Sequence, residues 1–285
     1  MSNREIITNY GASIQKKLFN YAKLNGKDNR DVMIKYLHDR FLYRISISDY
    51  CENFVLKGSA LVYVYMLDDS RNTKDVDFMG RGFDSANLKN IIQEIVSLEC
   101  EEDGVIFLPE TVSIYKLDKH NGYDGFRVTV QCKLGKAREA VKMDLSFNEV
   151  ITPSSVKQKY PSLIDCVPDV YINTYTLETS IAEKIESIVS KATITTRMKD
   201  FYDIYKIMNN PNIKLNNSIL KEAIKNTFAH RHTTLDKDSI VFNIDYYVEV
   251  NRTNLWYSFL KKNRLPDLSF YEVGLFICNY IPKFM

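Results

Sequence analysis

Asp75 and Asp77 stand two residues apart in the run Lys74-Asp75-Val76-Asp77-Phe78. Val76 and Phe78 alternate with them as residues on a strand do. That period puts both carboxylates on one face. Two like charges so close repel unless a cation lies between them or one is protonated. A divalent ion resolves the conflict, and oxygen ligands favour magnesium or manganese. Upstream, Gly58 and Ser59 lie between a strand-like run, Phe54-Val55-Leu56, and a helix expected from Ala60 to Leu67. Glycine lets the backbone approach a phosphate closely, and a helix start offers unpaired N–H groups to an anion. Ser59 adds a hydroxyl. Lys57 and Arg71 flank this cradle with positive charge. Thr73 either shapes the turn into the Asp75 strand or bonds a phosphate. A phosphate cradle beside paired carboxylates is what nucleotidyl transfer needs. Asp144, in Val141–Phe147, is the candidate third carboxylate. It shares a strand face with Lys142 and Ser146, and a neighbouring strand could bring it beside the pair.

The elements that must position these groups divide the chain. At 285 residues it suits two cores of roughly 100–200 residues each. Apolar periodicity predicts helices in the first fifty residues and over 85–99. Strands are expected at 112–115, 126–132 and 140–147. A polar loop is expected at 68–72 and a proline-punctuated, loop-rich connection from Pro153 to Pro168. Helices follow at 178–190, 197–209, 215–228, 253–263 and 269–280. The fold class is therefore α+β: a mixed sheet flanked by helices in residues 1–170, then a mostly helical domain in 171–285.

Composition removes several function classes. No run approaches the roughly 18–20 apolar residues of a membrane span. The opening seventeen residues are polar where a secretory leader needs an apolar stretch, which predicts a cytoplasmic protein. The five cysteines form no C-x-x-C pair, which argues against a zinc site or a disulfide framework. The net charge of +2 advertises no global field for nucleic acid. The last third does interleave basic positions (Lys214, Lys221, Lys225, His230, Arg231, His232, Arg252, Lys261, Lys262, Arg264) with Tyr246, Tyr247, Trp256 and Tyr257. Cations beside aromatics suit RNA phosphates and stacked bases.

The order strand, Gly-Ser, helix, polar loop, Asp-x-Asp resembles the nucleotidyltransferase superfamily. More closely, the chain resembles the AbiEii/AbiGii toxin family, which includes the toxins of abortive-infection and type IV toxin–antitoxin systems and the MenT-type toxins. The resemblance rests on Arg40-Phe41-Leu42-Tyr43-Arg44, on Phe54–Leu61 with its Gly58-Ser59, and on Arg71-x-Thr73-x-Asp75-x-Asp77-Phe78. Ala182-Glu183-Lys184-Ile185 and Arg197-Met198-Lys199-Asp200-Phe201-Tyr202-Asp203-Ile204 extend it to about residue 210. Gly-Ser stands where many such toxins have Gly-Gly.

The resemblance implies a magnesium-dependent enzyme that transfers a nucleoside monophosphate from a nucleoside triphosphate to RNA. In MenT-like members the acceptor is the tRNA 3′ end, and its modification stops translation. The catalytic set it implies is Asp75, Asp77, Asp144, Lys184, Lys199 and Asp200. Asp75, Asp77 and Asp144 would hold the metal, with Asp144 a third ligand or a general base. Gly58, Ser59, Lys57, Arg71, Thr73 and Arg197 would bind the nucleotide. On the residues alone, Lys184 could instead pair with Glu183, Glu186 or Asp203. Ser180 with Glu183 fits a capping box. The resemblance also implies a role in phage defence and a cognate antitoxin that need not touch the toxin; a monomer is the default. Two alternatives use other acceptors or none: transfer to a protein or small-molecule hydroxyl, or a non-catalytic nucleotide-binding module.

Overall fold

The computed structural model describes residues 9–67, 70–71, 73–120 and 123–285. Asp68, Asp69 and Asn72 of the expected polar loop, and the first eight residues of the polar N-terminus, lie outside the described residues. The chain divides into two compact units. The first takes the chain up to Ala60, 72–148 and 157–174; the second takes 61–71, 149–156 and 175–285.

The first unit carries α1 (Tyr10–Leu24), α2 (Asn29–Ile47), β1 (Phe54–Lys57), the start of α3 (Gly58–Met66), β2 (Val76–Gly80), α4 (Leu88–Val96), β3 (Val105–His120), β4 (Tyr123–Leu134), β5 (Ala137–Phe147), β6 (Val156–Tyr160) and β7 (Val170–Thr174). The strands form one seven-stranded sheet in the order β3-β4-β5-β2-β1-β7-β6. β2 runs parallel to β5 and antiparallel to β1, while β3, β4 and β5 form an antiparallel meander.

Helix starts follow local chemistry. The Asp28 side chain accepts hydrogen bonds from the Arg30 and Asp31 amides and so begins α2. Leu88, Ile91, Ile92 and Ile95 put one apolar stripe on α4, and all four are buried. The inward sheet positions Val128, Val130, Val141, Met143 and Leu145 are buried too. β6 lies inside the connection expected to be loop-rich, between Pro153 and Pro161, and β7 follows directly after it, with Val170, Ile172 and Thr174 buried.

The arginines of the Arg40–Arg44 motif are core ties. Arg40 is buried, donates to Asp39 at 2.8 Å and reaches the Pro168 carbonyl at 3.0 Å. Arg44 is paired with Asp103, and both are buried.

The second unit carries the rest of α3, then α5 (Leu177–Lys191), α6 (Met198–Met208), α7 (Asn217–His230), α8 (Val250–Asn263) and α9 (Phe270–Tyr280). Val62 and Met66 of α3 join its apolar cluster with Ile181, Ile185, Phe201 and Phe228. Trp256 sits in that cluster, stacked on Phe270 with centroids 4.9 Å apart, and donates Nε1–H to the Leu268 carbonyl at 2.7 Å. The stretch 149–156 belongs here because Thr176 and Thr179 donate their hydroxyls to the Thr152 carbonyl and Tyr175 donates to Glu149. The cap of α5 is Thr176, which accepts from the Thr179 amide. The capping box expected at Ser180 and Glu183 therefore does not form: Ser180 lies inside the helix, and Glu183 pairs with Arg231 at 2.8 Å.

Removing Arg44 leaves the Asp103 carboxylate buried without its cation. Arg44→Met is expected to destabilise the protein by about 3–5 kcal/mol. Adding Asp103→Leu should recover part of that loss. Urea unfolding measures both, and a wild-type midpoint for Arg44→Met would contradict the account.

Candidate active site

In the first unit, sheet register does the positioning. Asp77 on β2 is the direct partner of Lys57 on β1 and of Asp144 on β5. Asp144 is in turn the partner of Arg127 on β4. Directly paired residues share a sheet face with Cβ atoms about 4.5–5.5 Å apart. One row across four strands therefore reads Lys57, Asp77, Asp144, Arg127. Asp75 stands just before β2, and Thr73 donates its hydroxyl to the Asp75 carbonyl at 2.8 Å. That bond is the one the turn-shaping reading of Thr73 calls for.

Gly58 opens α3 at φ +66. A Cβ there would lie 2.1 Å from the Asp77 Oδ2. Glycine is thus required twice, for its left-handed backbone and for the space that the Asp77 carboxylate fills. Ser59, next in the helix, is buried.

Arg127 is the residue that sequence reasoning missed. Its Nε and Nη2 donate to the two carboxylate oxygens of Asp144, each at 2.7 Å, and Nη2 lies 3.8 Å from Asp75 Oδ2. The hydrogen-bonded Asp144 raises the guanidinium above its ordinary value against the pull of burial, and the charges of Asp75 and Asp77 add to it. Arg127 alternates with the buried Val128 and Val130 on the strand expected at 126–132. Only the register shows what it faces.

Carboxylate oxygens are the donors that magnesium or manganese takes, so the chemistry of Asp75 and Asp77 fits such an ion. Among the described residues, no three or more His, Cys, Asp or Glu side chains are gathered at metal-holding distance. Asp144 stands beside Asp77 in register, but its carboxylate is turned to Arg127.

The other predicted residues gather in the second unit. Lys184 on α5 donates to Asp203 Oδ2 at 2.7 Å and to Asp200 Oδ1 at 3.4 Å, both on α6. Arg71 pairs with both oxygens of the same Asp203, at 3.1 and 3.2 Å. Arg197 Nε donates to Asp200 Oδ2 at 2.7 Å, and Ser187 donates to the same oxygen at 3.4 Å. Burial by itself would lower Lys184, but Asp203 and then Asp200 outweigh it and hold the ammonium above its usual value. Burial would likewise raise Asp200, but Lys184 and Arg197 hold it below the usual carboxylate range. Lys184 therefore pairs with Asp203, not with Glu183 or Glu186. Lys199 opens the same helix, partly exposed, and adds positive charge beside Asp200.

Three of the four aromatics of the expected RNA surface lie in the interior. Tyr246, Tyr247 and Trp256 are buried, and Arg252 stacks on Tyr246 with 3.8 Å to the ring centroid. Arg231 is held by Glu183 and Glu186 at 2.8 Å each. Of the four aromatics named from the sequence, only Tyr257 is exposed.

Paired carboxylates at a strand start, beside a glycine that opens a helix, in this α+β fold define a nucleotidyltransferase. The chain belongs to the family of nucleotidyl transferase AbiEii toxins of type IV toxin–antitoxin systems, whose model matches residues 40–271. It is accordingly a toxin enzyme that takes a nucleoside triphosphate as substrate and has an antitoxin as partner. The fold is also similar to that of JHP933 from Helicobacter pylori, at a TM-score of 0.53 and 15% identity, over 88% of this chain and 90% of that one. A second H. pylori structure, assigned as a nucleotidyltransferase, gives the same TM-score and identity over 88% and 92%. No curated protein matches the sequence. Among the described residues, no helix is long and apolar enough to cross a membrane.

The two demands on Gly58 can be separated. Gly58→Ala is expected to cost more in the wild type than in an Asp77→Ala background, where the clash with the carboxylate is gone and the backbone penalty of about 1–2 kcal/mol is joined only by a tight contact with the remaining Cβ at 2.9 Å. Thermal unfolding of the four proteins gives the coupling. Zero coupling would mean that the Asp77 carboxylate does not need that space.

Proposed function

We propose that this toxin transfers a nucleoside monophosphate from a nucleoside triphosphate to a hydroxyl of RNA, with the tRNA 3′ end as acceptor. The observation that carries this reading is the register pair Asp77–Asp144 beside Asp75 and Gly58. Asp77 and Asp144 are direct partners on neighbouring strands, and Asp75 stands just before one of them.

In this reading Asp75 and Asp77 hold magnesium, with Asp144 as a third ligand or as the base for the acceptor. The ion supplies charge neutralisation for the phosphates and the leaving group. The acceptor oxygen forms a bond to the α-phosphorus, the bond from that phosphorus to the β-phosphate bridge breaks, and pyrophosphate leaves with the electron pair. The proton of the acceptor hydroxyl passes to a carboxylate or to water. Gly58 and the first amides of α3 face the phosphates. In the second unit Lys184, kept cationic by two buried aspartates, is the phosphate-directed group, and Asp200 orients it.

The test is a transfer assay. Protein, magnesium and each α-labelled nucleoside triphosphate in turn are incubated with total tRNA, beside an Asp75→Ala control and an EDTA control. Label on RNA is expected with one triphosphate, and both controls should lose at least ~100-fold of the rate, as loss of a charge-stabilising group does. Label on protein or on a small molecule, with none on RNA, would overturn the choice of acceptor.

A further inference from the structure

The outer part of the sheet has an open face. Val128, Val130, Cys132 and Leu134 of β4 and Val141, Met143 and Leu145 of β5 are buried. The alternate residues therefore project from the other side. Register pairs them as Arg127 with Asp144, Thr129 with Lys142, Gln131 with Ala140, and Lys133 with Arg138. Lys142, Gln131 and Arg138 are exposed. On β3 the same register sets Tyr115 opposite Arg127 and Ile106 opposite Lys133. These two side chains are 62% and 61% exposed.

The charge on this face has one sign. Arg127 and Asp144 cancel. Among the described residues, Lys133, Arg138 and Lys142 make no ion pair. From Gly125 to Leu134 on β4 and throughout β5, no outward position other than Asp144 is acidic. On β3 the exposed Glu110 lies in the register break between Leu108 and Ser113. Lys133 stands directly opposite Arg138, a like-charge pair that destabilises a sheet. Such a row suits a polyanion, which removes the repulsion when it binds. The row also leads somewhere. At about 3.4 Å per residue, Lys142 is ~7 Å along β5 from Asp144 and Arg138 is ~20 Å.

We infer that this face of β3, β4 and β5 is where the RNA acceptor lies, as an extended single strand with its reactive end toward Asp144 and Asp77. Lys142, Arg138 and Lys133 take its phosphates, and Tyr115 offers a ring for a base. The inference rests on the RNA-acceptor reading and moves the contact from the helical unit, whose Tyr246, Tyr247 and Trp256 are core, to the sheet. RNA suits the face better than an acidic peptide, because flat, extended and aromatic-edged surfaces bind unstacked bases.

The experiment is fluorescence anisotropy with 5′-fluorescein-labelled tRNA, titrated at several salt concentrations. The variants are Lys133→Gln/Arg138→Gln/Lys142→Gln on the sheet and Lys221→Gln/Lys225→Gln on α7. The sheet variant removes a repulsion, so its melting temperature should equal or exceed that of the wild type, and lost binding cannot be laid to misfolding. We expect it to bind roughly tenfold or more weakly, with the slope of log Kd against log salt smaller by about 2, as for three lost phosphate contacts. The α7 variant should bind as the wild type does, and Tyr115→Ala should weaken binding with the salt slope unchanged. Unchanged affinity in the sheet variant, or loss in the α7 variant alone, overturns this inference and leaves the RNA reading standing. Displacement of the tRNA by poly-glutamate as readily as by unlabelled RNA would assign an acidic protein to the face instead. No binding of tRNA to the wild type would remove the RNA reading and this inference with it.

Discussion

The register of β2 against β5 forces two carboxylates, Asp77 and Asp144, side by side, and the chemistry of the first unit is organised around that repulsion. At ~5 Å two such charges cost about 1–3 kcal/mol, depending on how much water screens them. The neighbours are the residues that make the arrangement tolerable. Arg127 answers Asp144 with both arms of its guanidinium and reaches toward Asp75. Lys57 ends the row on the other side of Asp77. Gly58 leaves the room that the Asp77 carboxylate occupies. A planar, permanently charged fork suits this task better than lysine, because it meets both carboxylate oxygens at once.

The second unit meets the converse problem, a buried cation. Arg71, Asp203, Lys184, Asp200 and Arg197 alternate in sign along one hydrogen-bonded chain. Each acid lies between two bases, and Asp203 with Asp200 holds the Lys184 ammonium above its usual value. The chain has one more cation than anions. That surplus is fixed by side chains on α5 and α6, whose spacing the apolar cluster around Phe201 and Ile185 holds.

Much of this was legible before the fold was known. Asp75 and Asp77 declared themselves by alternation, Gly58-Ser59 by its place between a strand and a helix, and Asp144 by a strand pattern that allowed it to neighbour the pair. What stayed hidden depended on register or on burial. The partner of Arg127 follows from how β4 pairs with β5, which no local pattern encodes. Tyr246, Tyr247 and Trp256 have the composition of a stacking surface, yet their rings fill a core, since an aromatic side chain serves either end equally well. β6 was concealed because Pro153 and Pro161 on its two sides imitate a loop, and β7 because it starts two residues after Pro168. For Arg71, read from the sequence as flanking a phosphate cradle, the carboxylate 132 residues further on that accepts from two of its nitrogens could not be seen in any local pattern.

The chain passes from one unit to the other after residues 60, 71, 148, 156 and 174. Neither unit is a contiguous segment, and this governs the order in which the protein comes into being. Chains emerge from the ribosome N-terminus first, at about 5–20 residues per second, and a contact forms only once both ends exist. The central strand β1 lacks its neighbour β7 until residue 174 has been made. Arg71 waits for Asp203, and the apolar cluster waits for α9. A chain stopped before residue 174 therefore lacks a strand of the first unit's sheet, and one stopped before Asp203 lacks the second unit's charge chain. The row of charges on the sheet is thus assembled from segments made by residue 174, ahead of the charge chain that needs Asp203 and the apolar cluster that needs α9.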